Sequence, residues 1–173
     1  MKKLRTFLAI ATLILTFGVV SPASASAAPY CGITWGSLNK TVSAGSSAPV
    51  VGVRAGQHDC YDRMVIDLNG PTDQITVGYY TGPKPMTSQG SGQPFMTWAG
   101  ETLAVTVFAN SPGYNPANRF DVVNVNGFRT FREIAFDSSF EGHTNFGLGV
   151  RARLPFRVFT LGERLVIDVG HRW

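Results

Sequence analysis

The stretch DRMVIDL at residues 62–68 decides the fold, and it returns almost unchanged as ERLVIDV at residues 163–169. In both copies apolar side chains alternate with charged or shorter ones. Successive side chains of a β-strand point to opposite faces, so this alternation predicts two half-buried strands. The apolar positions of each copy would face a core, and the Arg and Asp positions would share the other face.

The repeat also predicts how the two strands meet. Arg63 and Asp67 lie about 13 Å apart along one strand, which is too far for a direct ion pair. If the copies pair antiparallel, Arg63 lies opposite Asp168 and Arg164 lies opposite Asp67. The alternative is that charged and apolar residues alternate simply because half-buried strands have this pattern. Placement of the two strands in different sheets would contradict the pairing.

The rest of the chain carries the same kind of signal. Further strands are predicted at residues 30–35, 49–54, 75–80, 103–109, 122–125, 130–136, 146–153 and 156–161. Segments 39–48, 82–94 and 110–118 are small, polar or rich in Gly and Pro, which is typical of loops. No segment keeps a helical apolar period for three turns, although a short helix fits residues 138–143. Many short strands separated by turn signals predict an all-β sandwich or barrel.

The N-terminus has the three parts of a secretory signal peptide. Lys2, Lys3 and Arg5 precede an apolar run at residues 7–20, and small residues follow at 21–28. The apolar run has about 14 residues, fewer than the roughly 20 of a membrane span, which argues against a retained anchor. We therefore expect a signal peptide at 1–27, an N-terminal segment and linker at 28–48, and a β domain at 49–173. The product would be secreted and free of the membrane.

Loss of this leader changes the charge balance. The chain has 15 Lys and Arg against 11 Asp and Glu, a net charge of +4. Without Lys2, Lys3 and Arg5 the balance is 12 against 11, a net charge of +1. A nearly neutral domain lacks the basic surface of a nucleic-acid-binding protein, so we expect no nucleic-acid partner.

Two cysteines remain, Cys31 and Cys60. In an exported protein an even number of cysteines predicts a disulfide, which here would tie the N-terminal segment to the β domain. The alternative is a metal site with His58. The chain has one nearby histidine and no C-x-x-C spacing, which disfavours that alternative.

Residues for catalysis are not arranged in a known motif. Neither a G-x-S-x-G nor an H-E-x-x-H sequence occurs. Two sets of suitable residue types remain, Ser138, Ser139 and His143 for a hydrolytic triad and Glu101, Glu133 and Glu141 for a glycosidase pair. Nothing in their spacing orients them, and glutamates among strands are more often solvated. We expect no catalytic residue, no metal and no cofactor.

Candidate ligand-binding residues fall into two groups. Arg151, Arg153 and Arg157 share one strand parity, so they would present a basic face to carboxylates or phosphates, unless Pro155 breaks the register. The alternative, which we favour, is structural pairing with acidic residues on a neighbouring strand. Most aromatic residues in a β domain belong to the core, but some would stack on sugar rings, and the candidates are Trp35, Tyr79, Tyr80, Trp98 and Tyr114.

Several stretches resemble a known family. They are the repeat itself, CGITWGS at 31–37, HDCYDRMVIDLNG at 58–70, FEG at 140–142 and GLGVRARLPFRV at 147–158. Together they are similar to the AMIN-like domain of small exported actinobacterial proteins, which is related to the AMIN domain of cell-wall amidases and pilus secretins. The resemblance implies a β-sandwich of two related halves. It also implies a non-catalytic module that holds proteins at peptidoglycan or the septum.

The resemblance leads to three functional hypotheses. No amidase or secretin sequence follows before Trp173, so, if the domain binds the cell wall, we expect that binding itself is the function or that the domain recruits a partner. The leading hypothesis is a non-catalytic, exported cell-envelope module that associates with peptidoglycan through a polar and aromatic sheet face. An envelope protein bound at a strand edge is the alternative, and a small cell-wall hydrolase is a weaker one.

Overall fold

A computed structural model describes residues 28–43, 48–71 and 74–173. The predicted signal peptide at 1–27 and part of the predicted linker, residues 44–47, lie outside them. The described residues contain nine β-strands: β1 Lys40–Ser43, β2 Val50–Gln57, β3 Tyr61–Leu68, β4 Gln74–Tyr79, β5 Glu101–Val107, β6 Phe131–Phe140, β7 His143–Val150, β8 Phe156–Thr160 and β9 Arg164–Gly170. Among these residues, no helix has the length and apolar character needed to cross a bilayer.

The strands form two antiparallel sheets. Sheet A has the order β1-β4-β5-β7-β6, and sheet B has the order β2-β3-β9-β8. The repeat strands β3 and β9 are therefore neighbours in the middle of sheet B, and the all-β, sandwich-like fold predicted from the sequence is confirmed.

One core fills the space between the sheets. Met64 and Ile66 of β3 and Ile167 of β9 are fully buried, and they belong to the same cluster as Ile75 and Phe146 of sheet A. Burial of each such side chain stabilises the fold by about 1.5–3 kcal/mol. The period-two alternation of the repeat places these apolar side chains inside and leaves Arg63, Asp67, Arg164 and Asp168 on the outer face of sheet B.

The outer face of sheet A is partly covered by the long segment between β4 and β5. Met96 and Trp98 of this segment pack where β7 has Gly147 and Gly149, and a Cβ on Gly149 would lie 2.7 Å from the Trp98 ring. The buried Glu133 carboxylate accepts hydrogen bonds from the backbone N–H groups of Thr97 and Trp98. Two glycines and one carboxylate thus hold the segment on the sheet.

A disulfide joins Cys31 to Cys60, as predicted, with Cα atoms 6.1 Å apart. The disulfide uses both thiols of the alternative metal site, and the ring of the neighbouring His58 stacks on Tyr61 with centroids 4.6 Å apart. The preceding residues were predicted as a strand at 30–35, and this prediction is wrong. Tyr30–Gly32 form one 3-10 turn, because Cys31 and Gly32 have positive φ angles of 53° and 68° that a strand does not allow.

Three other local predictions are also wrong. Segment 39–48 contains β1, whose Val42 packs against the core, so tertiary contacts override a polar local sequence. Residues 122–125 are not a strand: their apolar spacing reflects packing on the core, and the Val122 N–H donates one hydrogen bond to Ile134 at the edge of β6. Residues 138–143 form a hairpin instead of a helix. Glu141 and Gly142 have φ angles of 49° and 82°, as in the tight turns that join antiparallel strands.

Candidate functional site

The two copies of the repeat lie side by side on the outer face of sheet B. In the β3–β9 register Arg63 is opposite Asp168, and Asp67 is opposite Arg164. The pairing predicted from the repeat is therefore confirmed. It brings charges from both ends of the domain to one surface.

Asp168 is the buried centre of this surface, with no solvent exposure. Its carboxylate accepts two hydrogen bonds from Arg63, at 2.6 and 2.9 Å, and one from Arg157 of β8 at 2.8 Å. The hydrogen bond with Asp168 raises the pKa of the Arg63 guanidinium above its usual value. Two cations therefore share one carboxylate.

Asp67 makes a similar but more exposed group. It accepts hydrogen bonds from Arg54 of β2 at 2.7 and 2.9 Å, and the Arg164 Nε lies 3.6 Å from its Oδ1. The hydrogen bonds from Arg54 lower the pKa of Asp67 below its usual value. Arg54 and Arg164 are about half exposed, at 53% and 54% of their side chains. Their remaining N–H groups face water.

Aromatic rings hold the more buried pair of arginines in place. The Arg157 guanidinium lies 4.5 Å from the centre of the Trp35 ring and 5.0 Å from that of Phe159. Arg63 lies 5.3 Å from the centre of the Tyr61 ring. These cation–π contacts fix the planes of the guanidinium groups without neutralising their charge.

We call this surface the arginine face. It consists of Arg54, Arg63, Arg157, Arg164, Asp67 and Asp168, four cations and two anions. The net charge of these six side chains is thus +2.

A shallow pocket of about 310 Å³ opens in the arginine face. Arg54, Arg63 and Arg164 line it together with His58, and Gly56 lies at its side with no atom within 4 Å of where a Cβ would be. Guanidinium groups around an open pocket suit carboxylate or phosphate ligands, which accept paired N–H bonds.

The other predicted arginines do not join this face. Of the three predicted arginines, only Arg157, on β8, belongs to the arginine face. Arg151 and Arg153 lie in the connection between β7 and β8, so the alternation of side chains along a strand does not apply to them. Arg151 donates a hydrogen bond to the backbone oxygen of His171. Arg153 lies 4.6 Å from the centre of the Tyr79 ring and donates to the backbone oxygen of Ser37. The pairing of Arg157 with Asp168 is the structural alternative favoured in the sequence analysis.

Tyr79 was predicted as a sugar-stacking residue, and its burial contradicts that role. Its ring is 6% exposed, its hydroxyl donates a hydrogen bond to the Leu154 carbonyl, and the Leu154 N–H donates back to the hydroxyl. Burial raises the pKa of Tyr79 to about 12. Tyr79 therefore links the core to the connection between the sheets.

Tyr80 and Trp98 lie on the outer side of sheet A, whereas the arginine face belongs to sheet B. Both pack, partly exposed, against a small cluster of Met86, Phe95 and Met96 that fastens the long segment to sheet A. The Trp98 indole N–H donates to the backbone oxygen of Glu101. The structure thus separates these two rings from the arginine face.

The glutamates of the predicted glycosidase set have separate structural contacts. Glu101 pairs with Lys84 at 2.5 Å, and Glu133 accepts the hydrogen bonds of Thr97 and Trp98. Glu141 is exposed at the tip of the β6–β7 hairpin. Each has a local role in the fold or at its surface.

Sequence reasoning did not identify Arg54 as a site residue, and it considered His58 only as a metal ligand. Neither belongs to the repeat, and both reach the pocket only through the β2–β3 hairpin. The register that pairs Gly56 with Arg63 brings β2 beside the repeat. The one available signal was the short segment at 58–60, because a tight turn there would pair β2 with β3 and bring Arg54 beside the repeat.

Comparison with known protein families identifies the domain. A family model described as the AMIN-like domain matches residues 48–171, well over half of the chain. No curated protein matches the chain.

Proposed function

The chain belongs to the AMIN-like domain family, and from that premise we propose that it is a non-catalytic module that associates with the cell envelope and binds peptidoglycan through the arginine face. The observation that carries this proposal is the unequal charge of that face. Each carboxylate is shared by two arginines, so guanidinium N–H groups remain for a ligand.

The chemistry of the face suits the peptide stems of peptidoglycan. These stems carry free carboxylates, which a guanidinium group binds with two parallel hydrogen bonds. The pocket is shallow, and two of its arginines are half exposed to water, so each contact would be weak. A polymer with many stems would still be held, because several weak contacts act together.

A location outside the cytoplasm is part of the proposal. The disulfide between Cys31 and Cys60 fits an oxidising compartment, and the predicted signal peptide would direct the chain there. The proposed place of action is therefore the cell wall.

Co-sedimentation with washed cell-wall sacculi tests the proposal. The parent protein should pellet with sacculi at low salt and be released as salt screens the charges. The double variant Arg54→Gln with Arg164→Gln should bind at least about fivefold more weakly, which corresponds to about 1 kcal/mol. Both side chains are half exposed and pair with a partly exposed carboxylate, so the fold should be kept.

The matched control is Arg129→Gln with Arg132→Gln. It removes the same charge, and neither arginine lines the pocket. Arg132 donates to backbone carbonyls near the start of β6, and Arg129 donates to the carbonyl of Asp59 in the β2–β3 turn. Equal weakening by both double variants would mean that net charge, and not the arginine face, determines binding. Parent protein that stays wholly in the supernatant at modest salt would refute wall association.

The other two hypotheses have their own outcomes in this assay. Release of soluble muropeptides, abolished by Glu141→Gln, would support a hydrolase. Failure of the protein to sediment with sacculi would favour an envelope protein as its partner. Strand addition at the free edge of β2 is disfavoured by the bulge between Val50 and Gly52 and by the charge of Arg54, two features that protect sheet edges.

A further inference from the structure

The outer face of sheet A carries a row of uncharged polar side chains that the arginine face does not involve. One residue comes from each strand, and each is paired in register with the next: Thr41, Thr76, Thr106, Asn145 and Ser138. We call this row the polar row. Strands lie about 4.8 Å apart, so it is about 19 Å long and runs across the strands.

Asn145 is the residue that strand propensity does not explain. Threonine is common in strands, but asparagine is depleted there, and β7 is an interior strand of sheet A. The Asn145 Oδ1 accepts a hydrogen bond from Thr106 at 2.9 Å, which fixes the amide plane. Within the described part of the chain its Nδ2 has no hydrogen-bond partner, so two donors point outward from a fixed amide.

The polar row is the floor of a groove. Two open pockets of about 610 and 290 Å³ lie along it, and both are lined by Gln89, His143 and Asn145. Gln89 belongs to the segment that the buried Glu133 fastens to the sheet. The two pockets share these lining residues and therefore form one groove, with Gln89 on one side.

Aromatic side chains form the opposite wall. Phe108 and His143 meet edge to face with centroids 4.9 Å apart, and Phe140 at the hairpin is 68% exposed. An exposed aromatic ring beside fixed hydroxyl and amide groups suits a sugar, which has apolar ring faces and hydroxyl edges.

The charges in the groove select against an anionic ligand. Among the described residues, no lysine or arginine lines either pocket, whereas the exposed Glu141 lines the larger one. Asp137 also lines it, but its carboxylate is nearly buried and pairs with Arg119 at 3.7 Å. The arginine face has the opposite character. A ligand complementary to the groove is thus uncharged and rich in hydroxyl groups.

We propose that this groove binds an uncharged, extended polysaccharide, with its sugar units laid along the polar row and one ring against Phe140. The site is separate from the arginine face and lies on the other sheet. Polysaccharide binding in the groove does not require the arginine face to bind wall carboxylates. Either proposal can therefore be refuted without affecting the other.

A titration of the purified, isotope-labelled protein followed by NMR tests the proposal. The probes are chitohexaose and cellohexaose, which distinguish acetamido sugars from plain glucose units, and dextran serves as the flexible, differently linked control. Either hexaose should shift the side-chain amide signals of Asn145 and the backbone signals of Thr76 and Thr106, and dextran should not. Absence of shifts with both hexaoses, or equal shifts with dextran, would overturn the proposal.

Two variants locate the site. Asn145→Asp keeps the acceptor for Thr106 but replaces the outward donors with a charge, and should weaken binding at least about tenfold. Thr76→Val keeps the shape and should weaken it about threefold to fivefold. Thr160→Val on β8 is the matched control and should bind like the parent. Unchanged affinity in Asn145→Asp would refute the site, whereas Arg54→Gln with Arg164→Gln should leave sugar binding intact.

Discussion

Replacement of the two repeat aspartates should have very different effects on stability. Asp67 and Asp168 occupy the same position of the repeat, and each pairs with two arginines. Their burial differs, because the Asp168 side chain is fully buried and that of Asp67 is 30% exposed. Asp→Asn keeps the size at each site and removes the charge, so the pair of variants isolates the effect of burial.

The magnitudes follow from these contacts. Removal of one partner of a buried ion pair costs about 3–5 kcal/mol. Arg63 and Arg157 still reach water, with 24% and 41% of their side chains exposed. We therefore expect Asp168→Asn to lower the free energy of unfolding by about 2–4 kcal/mol. Asp67→Asn should lower it by about 0.5–1 kcal/mol, as for surface ion pairs.

Urea unfolding followed by tryptophan fluorescence measures both changes. The dependence of the free energy on urea should stay the same, so that a shifted midpoint reports stability alone. Losses that agree within about 0.5 kcal/mol, or a larger loss for Asp67→Asn, would show that burial does not control these pairs.

Three further expectations concern the disulfide, acid stability and the packing of Trp98. Replacing Cys31 and Cys60 by serine opens a loop with a sequence separation of 29, and calorimetry should show a loss of about 3–4 kcal/mol; a loss below about 1 kcal/mol would contradict this. The lowered pKa of Asp67 gives stability that is present above its ordinary value of 3.8 and is lost as the pH falls through the lowered value. Thermal unfolding at acidic pH should therefore depend less on pH in Asp67→Asn than in the parent, and identical profiles would refute the linkage. Gly149→Ala should cost about 1–3 kcal/mol in urea unfolding by displacing Trp98, and a neutral effect would mean that the ring moves freely.

The repeat could be predicted because its information is local. Alternation with a period of two fixes which side of β3 and β9 is buried, and complementary Arg and Asp positions fix how the strands pair. The same holds for Cys31 and Cys60, where the count of cysteines suffices. These predictions needed no knowledge of the remaining strands.

The surfaces could not be predicted because they depend on register between distant strands. The polar row joins all five strands of sheet A, so it depends on the register of the whole sheet. No local pattern marks Asn145 as different from a loop asparagine. Arg54 reaches Asp67 only through the β2–β3 register. Tyr79 looked like a binding residue, although its parity on β4 places its ring in the core.

The central position of β9 has a consequence for how the domain folds. Arg63 and Asp168 are 105 positions apart in the sequence. β3 can therefore pair with β9 only after the ninth strand has been made. Contacts between residues so distant in sequence slow folding, because a long loop must close before they form. Until β9 has been made, the backbone N–H and C=O groups along one edge of β3 have no strand partner, and the half-made chain exposes a free sheet edge of the kind that favours aggregation.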